Sequence, residues 1–302
     1  MKDSHGREIE NLRISVTRHC NLSCMYCHRE GEGKRNGIEM TPFQIERVLE
    51  AGASIGARKL KLTGGEPLLR NDIVDIVQRA SRHMIEVSMA TNGILLSEYA
   101  KRLKNAGLNR VNISLDTIDS NKYERITGTK FLQKVIEGID AAVESGLDPV
   151  KLNMVLLKGI NENEVQSMID FCGQRKTVLQ IIELEATKRG ADGNFYKEHH
   201  CDLTPLKKEF ERRALKITTR KMQARKKYFL PQEVELVRSM HNTEFCAHCN
   251  KLRITSDGKL KPCLLNNSNN IDILSIIQKD NSRGALLGAF KRAIAIREPY
   301  WR

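Results

Sequence analysis

The chain has 302 residues, of which 40% are hydrophobic and 29% charged, enough for one large or two ordinary globular domains with a sizeable core. Its formal charge of +13 attracts anions, yet only 5% of residues are aromatic and none interleave with the basic runs, which argues against a binder that stacks single-stranded bases. There is no uninterrupted apolar run of about 18 residues and no apolar N-terminal stretch, so no membrane span or secretory signal is expected and the cytosol is the expected compartment.

Turn signals divide the chain into a repeated unit of short β-branched run, loop, amphipathic helix and glycine. Predicted strands cover Leu12–Val16, Lys59–Thr63, Ile85–Ala90, Arg110–Leu115, Val150–Leu156 and Val178–Glu183. The first predicted helix opens at Thr41-Pro42-Phe43-Gln44, a capping box with proline at the first helical position, and runs toward Gly52 or Gly56. Others cover about Asn71–His83, Ser97–Ala106, Leu132–Ser145 and Glu162–Gln174, and Gly107 and Gly146 supply the same stop signal to two of them. Six consecutive βα units imply parallel strands with right-handed crossovers, arranged either as a doubly wound sheet or as an incomplete barrel. Beyond about Leu184 the unit is lost. Thr187–Asn194 reads as loop, Leu203–Leu215 as a further helix, and Leu252–Thr255 with Leu260–Cys263 as a hairpin turning at Ser256-Asp257-Gly258-Lys259. The expected division is a core of residues 1–220 and an appended C-terminal region of residues 221–302. The basic stretch Lys207–Lys227 is expected to be a solvated face.

Six of the eight cysteines form two triads, Cys20-x3-Cys24-x2-Cys27 and Cys246-x2-Cys249-x13-Cys263. In a reducing cytosol such spacings point to metal or redox chemistry rather than disulfides. The first triad follows the first strand, which puts it at the C-terminal edge of a parallel sheet, where ligands bind. Three readings compete for it: one face of a helix, a zinc site completed by His19 or His28, or three corners of an iron–sulfur cube whose fourth iron is open to a small molecule. Cys172, on the apolar face of a predicted helix, reads as core. Cys201, after His199-His200, reads as loop, and His248 as a bystander inside its Cys-x2-Cys.

Cys-x3-Cys-x2-Cys with Tyr26 before the last cysteine, together with Thr63-Gly64-Gly65-Glu66-Pro67 ending the second strand, resembles the radical S-adenosylmethionine superfamily. Within it, the second triad, Leu12-Arg13-Ile14-Ser15-Val16-Thr17, Thr91-Asn92-Gly93, Asn112-Ile113-Ser114-Leu115-Asp116, Lys158-Gly159-Ile160-Asn161 and Ser256-Asp257-Gly258 resemble the GTP 3′,8-cyclase family of molybdenum-cofactor biosynthesis over nearly the whole chain. The resemblance implies an α/β fold, an incomplete (βα)6 TIM-like barrel whose mouth is closed by a C-terminal cluster-binding segment. It implies two [4Fe-4S] clusters, one on Cys20, Cys24 and Cys27 and one on Cys246, Cys249 and Cys263, and S-adenosylmethionine held near Tyr26, Gly65 and Ser114. GTP would be held by Arg13, Lys61, Lys151 and the stretch Lys251, Leu252 and Arg253. It further implies a 5′-deoxyadenosyl radical that takes hydrogen from C3′ of GTP, a C3′–C8 bond in the product, a low-potential electron donor, and delivery of the product to cyclic pyranopterin monophosphate synthase. A second copy of the chain is a candidate partner. Neither nucleic acid nor membrane is implied.

The basic candidates also make sense by charge, because a triphosphate needs several converging charge-assisted donors. Asn112 and Asp116, near a strand end, could hold ribose hydroxyls or a loop. Departures from the family pattern are Ala90 in place of a threonine, Lys61 and Gln180 where arginine is common, and no C-terminal diglycine, which together suggest a shorter, archaeal-type version. Two other functions fit less of the sequence: a radical enzyme that modifies a peptide, which ordinarily carries more C-terminal cysteines, and a metal-stabilised nucleic-acid-binding protein, supported only by positive charge.

Overall fold

The computed structural model describes residues 1–32, 37–185, 194–240, 242–279 and 283–300. Its strands are β1 Asn11–Ser15, β2 Lys59–Thr63, β3 Glu86–Thr91, β4 Arg110–Ser114, β5 Val150–Leu156, β6 Val178–Glu183, β7 Lys216–Thr219, β8 Lys226–Leu230, β9 Gln232–Val237, β10 Lys251–Ile254, β11 Lys259–Lys261 and β12 Ile271–Asp272. Its helices are α1 Pro42–Ser54, α2 Ile73–His83, α3 Leu96–Asn105, α4 Ser120–Thr127, α5 Leu132–Glu144, α6 Val165–Gln174, α7 Asn194–His199, α8 Thr204–Arg213, α9 Thr243–Ala247, α10 Leu274–Lys279 and α11 Arg283–Ala295. The capping box at Thr41 forms as the sequence predicts, with Gln44 N–H donating to the Thr41 hydroxyl and Thr41 N–H to the Gln44 side chain.

Among the described residues one sheet holds all 12 strands, in the order β12-β11-β10-β1-β2-β3-β4-β5-β6-β9-β8-β7. The six predicted βα strands pair in parallel in chain order, the arrangement of an incomplete TIM-like barrel. The C-terminal strands are members of this sheet rather than an appendage. β10 adds in parallel beside β1 and β9 in parallel beside β6, each with an antiparallel hairpin outside it. A six-stranded parallel arc leaves unpaired edge backbone on both sides, and these strands cover it. The two flanks also meet one another, because Gln223 N–H, just before β8, donates to His248 O just before β10 at 2.9 Å.

Strand alternation then sorts the side chains. On the outer face Leu12, Ile14, Leu60, Leu62, Val111, Ile113, Leu152, Leu179 and Ile181 are buried beneath the helices in one continuous core. The other register, Arg13, Lys61, Asn112, Ser114, Lys151, Asn153 and Gln180, faces a cavity inside the arc.

Two sequence expectations need correction. Helices α4, α7, α9, α10 and α11 lie where none was predicted, α9 holding Cys246 where loop was expected and α4 capped by the Asp119 side chain accepting from Lys122 N–H. The expected Thr187–Asn194 loop falls largely on residues 186–193, which lie outside the described residues, and Asn194 already opens α7.

Candidate active site

The cysteine loop Cys20–Cys27 leaves the C-terminal end of β1 without forming a helix, which removes the helix-face reading. Backbone groups hold it. Ser23 and Met25 N–H donate to Thr127 O at 3.1 Å and Ile126 O at 3.0 Å, so the unpredicted α4 is its platform. At its entrance Gly65 N–H donates to Thr17 O at 2.8 Å and Glu66 N–H to His19 O at 2.7 Å. That approach requires glycine: a Cβ on Gly65 would stand 2.1 Å from His19 O, and one on Gly64, at φ +152°, 2.4 Å from Thr17 O.

Glu66 is fully buried and joins the motifs to one another. Its carboxylate accepts from Leu68 N–H at 2.9 Å, Thr91 Oγ1 at 2.7 Å and Asn92 N–H at 2.7 Å, and Asn92 Nδ2 donates to Asn21 Oδ1 inside the cysteine loop. Burial with no cation beside it raises the Glu66 carboxyl to about 7. Asp116 accepts from Tyr26 Oη at 2.6 Å and Val155 N–H at 2.8 Å, and burial raises it to about 6. The Asn161 side chain donates to Asp116 O and Val155 O. Asp116 thus fixes a loop, one of the two roles open to it from sequence. Tyr26, Gly65 and Ser114 all line the cavity beside Cys20, Cys24 and Cys27.

The second triad lies across the same cavity, with Cys246 in α9, Cys249 just after it and Cys263 beyond β11. Ionised side chains hold it. Arg7 Nη1 donates to Cys246 O at 3.2 Å and Arg297 Nη2 to Cys249 O at 2.8 Å, and both guanidiniums pair with the buried Asp3, at 2.7 and 2.8 Å. A second link joins the loop after the first triad to the β10–β11 hairpin: Arg18 pairs with Glu32 at 2.6 Å and Asp257 at 3.0 Å, and Ser256 Oγ donates to Glu32 at 2.7 Å.

The cavity between the triads measures about 630 Å³, and twelve arginines and lysines line it against five glutamates. Lys61 donates to Asn112 Oδ1 at 2.6 Å, and its ammonium sits well below the usual lysine range, first from burial and then from Arg110, Arg13, Lys251 and Arg225. Lys151 is held at about 8 by burial, with Glu235 partly offsetting the effect. Arg13 and Arg253 stand on adjacent strands flanking one carboxylate, Glu30; Arg253 reaches it at 2.8 Å and Arg13 closer still. Of the predicted substrate residues, Leu252 alone does not reach the cavity. The alternation that points Lys251 and Arg253 inward sends its side chain into the core, where it is fully buried. Ala90 lines the cavity. Cys172 is core, as expected, and His248 is exposed.

Sequence reasoning missed Glu30, Arg110, Arg220, Arg225 and Arg297. Only the alternating pattern of β4 could have flagged one of them, Arg110. The basic stretch Lys207–Lys227 is only partly a solvated face: Arg212 and Arg213 are exposed, but Arg220 and Arg225 turn into the cavity.

Residues 14–172 match the model of the Radical SAM superfamily, and residues 177–302 that of Molybdenum Cofactor Synthesis C. A Thermococcus kodakarensis protein named "Probable GTP 3',8-cyclase" is 47% identical over 305 residues, covering 99% of each chain. A Pyrococcus abyssi protein of the same name is 48% identical over 306 residues, again with 99% of each chain covered. Among solved structures, Streptococcus suis SuiB bound to S-adenosylmethionine matches 93% of this chain and 68% of its own, with TM-score 0.68 and 18% identity. Methylornithine synthase matches 95% and 86%, with TM-score 0.58 and 15% identity. These two share the fold. The chain belongs to the radical S-adenosylmethionine superfamily and, within it, to the GTP 3′,8-cyclase family.

Membership brings a [4Fe-4S] cluster and S-adenosylmethionine. The first triad suits such a group. Cys20, Cys24 and Cys27 line one stretch of the cavity, with Cys27 N–H donating to Cys24 O at 3.1 Å, and iron, which takes the thiolate, would offset the burial that pushes the Cys24 thiol up to about 12. Among the described residues no three His, Cys, Asp or Glu side chains converge on a point the size of one ion. No helix among the described residues is long and apolar enough to cross a membrane.

Proposed function

We propose that this chain converts GTP to (8S)-3′,8-cyclo-7,8-dihydroguanosine 5′-triphosphate, the first step of molybdenum-cofactor biosynthesis, as the name of its relatives suggests. One observation carries the reading: two separate cysteine triads face a single cavity whose lining is dominated by cations. One triad alone would serve any radical enzyme, and a basic cavity alone any nucleotide binder.

Cys20, Cys24 and Cys27 hold the first cluster and Cys246, Cys249 and Cys263 a second. Bound there with S-adenosylmethionine and given an electron, such a cluster would supply a 5′-deoxyadenosyl radical able to take hydrogen from C3′ of GTP. The chain's own residues supply placement. With Gly65 and Glu66 N–H already bonded to Thr17 O and His19 O, the Gly64-Gly65 turn would have its carbonyls left to accept from the S-adenosylmethionine ammonium. The Tyr26–Asp116 bond fixes the ring beside Cys27, and Ser114, at the end of β4, presents its hydroxyl to the cavity. Arg13, Lys61, Lys151, Lys251 and Arg253 hold the triphosphate, and the closed flank keeps water from the reacting sugar. The reaction runs in the cytosol, draws electrons from a low-potential donor and passes its product to the next enzyme of the route.

Anaerobic reconstitution with iron and sulfide should give about eight irons per chain. Incubation with S-adenosylmethionine and reductant should then release 5′-deoxyadenosine only when GTP is present. Equal release without GTP sinks the substrate reading, and about four irons sinks the second cluster.

A further inference from the structure

The inner wall of the cavity carries its charge in two groups of different balance. At β1 and β10, Arg13 and Arg253 share Glu30, two cations on one acid. At β5 and β9, Lys151, Arg220 and Arg225 all turn to Glu235, whose side chain is fully buried: Lys151 within hydrogen-bond distance, Arg220 at 2.9 Å and Arg225 at 3.7 Å. Glu233 adds little here, since it stands 3.7 Å from Lys151 and pairs with Lys227 at 2.8 Å. Three cations on one acid leave an uncompensated excess, and in a buried wall such an excess calls for an anion.

Arg225 is the member least satisfied by the protein. It is 9% exposed and lines the cavity; its Nη1 donates to Gln180 Oε1 at 3.0 Å, while its Nε, also buried, has no hydrogen-bond partner. Burial lowers its guanidinium to about 10, with Glu235 opposing and Arg220 and Arg110 adding to the shift. The backbone that delivers it is strained. The two preceding residues, Gln223 and Ala224, are not glycine, yet both adopt left-handed conformations, at φ +62° and +48°. Contacts to the second triad's loop hold the turn there, through Gln223 N–H to His248 O and Lys251 Nζ to Gln223 Oε1 at 3.1 Å. Glu235 Oε2, 3.7 Å from Arg225 Nη1, is likewise buried without a hydrogen-bond partner, so the pair is not closed within the protein; the braced turn instead delivers the guanidinium to the cavity wall, where an anion in the cavity would meet it.

We propose that Arg225, positioned by Gln180 on β6 and by the Gln223–Ala224 turn, is a polyphosphate-binding residue of the cavity, forming with Lys151 and Arg220 an anion subsite apart from the Arg13–Arg253 pair. The inference rests on the GTP reading only for the identity of the anion's carrier. Lys151 is thereby one cation of three, and the flank added beside β6 contributes directly to substrate recognition.

The test uses the full chain with reconstituted clusters and measures equilibrium binding of GTP, inorganic tripolyphosphate and guanosine. Arg225→Gln should weaken GTP and tripolyphosphate about ten- to hundredfold, the loss typical of a hydrogen bond to a charged group, and leave guanosine within about twofold. Because the Gln180 and Arg225 side chains touch, the exchange Gln180→Arg with Arg225→Gln returns a guanidinium to the same place and should recover tripolyphosphate affinity to within about threefold of the parent. Unchanged tripolyphosphate binding in Arg225→Gln overturns the proposal. So does an equal loss for guanosine that the exchange does not repair, the mark of a structural residue. A parent chain that binds tripolyphosphate through Arg225 but shows no preference for guanine nucleotides overturns the GTP reading and leaves the subsite standing.

Discussion

The two cysteine triads face one cavity but are held by opposite kinds of chemistry. Around Cys20–Cys27 the partners are backbone amides and carbonyls, with two buried carboxyls, Glu66 and Asp116, that meet N–H and O–H donors and no cation. Around Cys246–Cys263 the partners are ion pairs, Asp3 with Arg7 and Arg297, and Asp257 in the hairpin between Cys249 and Cys263 is tied by Arg18 to Glu32 on the flanks of the first triad. A loop held by backbone needs particular residues at fixed short spacings, because the chain itself must approach closely. A loop held by ions needs only a cation and an acid that meet in space: Arg297 and Asp3 lie 294 residues apart. The first is therefore written as motifs and the second is scattered.

The contrast can be broken most severely at Asp3. Asp3→Asn leaves Arg7 and Arg297 as buried cations without an acid and should cost about 3–5 kcal/mol in urea unfolding. Reconstituted iron should fall toward about four per chain as the second triad is lost. A cost below about 1 kcal/mol would show that the ions are ornament to that loop rather than its support.

On the other side, Gly65→Ala forces a methyl into His19 O and should cost about 1–3 kcal/mol. It should abolish S-adenosylmethionine binding, measured by dialysis, and leave GTP binding in place. Loss of both ligands together would mean that the two ends are not separable.

The pH dependence should carry opposite signs at the two ends. Burial raises Glu66 from 4.5 to about 7, so the folded chain keeps a proton that the unfolded chain has lost, and stability falls as pH rises through that interval. For Asp257 burial pushes upward, but hydrogen bonds from Thr255 and Lys259 and the Arg18 charge prevail and hold it at about 2 against 3.8. Its stabilisation is complete above 3.8 and is lost as pH falls toward 2. Urea midpoints should lose the first slope in Glu66→Gln and the second in Asp257→Asn. If either variant keeps the parent slope, another group titrates there.

The smallest effect separates the alternating faces of β10. Leu252→Val should cost about 1 kcal/mol in stability through lost packing, with KM for GTP unchanged within about twofold. A KM that rose with Leu252 would put that side chain in the cavity after all.

The sequence alone determined the strands of the parallel arc to within a residue or so, the α1 capping box and both triads. Each depends on local rules: alternation, capping and the short spacing of ligands on one loop. It missed α4 because eight residues are too few to stand out as a helix between strands, although the Asp119 cap and Gly128 in the left-handed conformation mark both its ends. It placed Leu252 with its cationic neighbours because a run of three residues looks continuous in sequence, although a strand turns every second one away. It read Arg220 and Arg225 as surface because burying a charge has no local signature. What only the tertiary structure decided is how the flanking strands pair, which cations converge and which acids balance them, since charges remote in sequence are brought within reach of one another only when the sheet curves around its cavity.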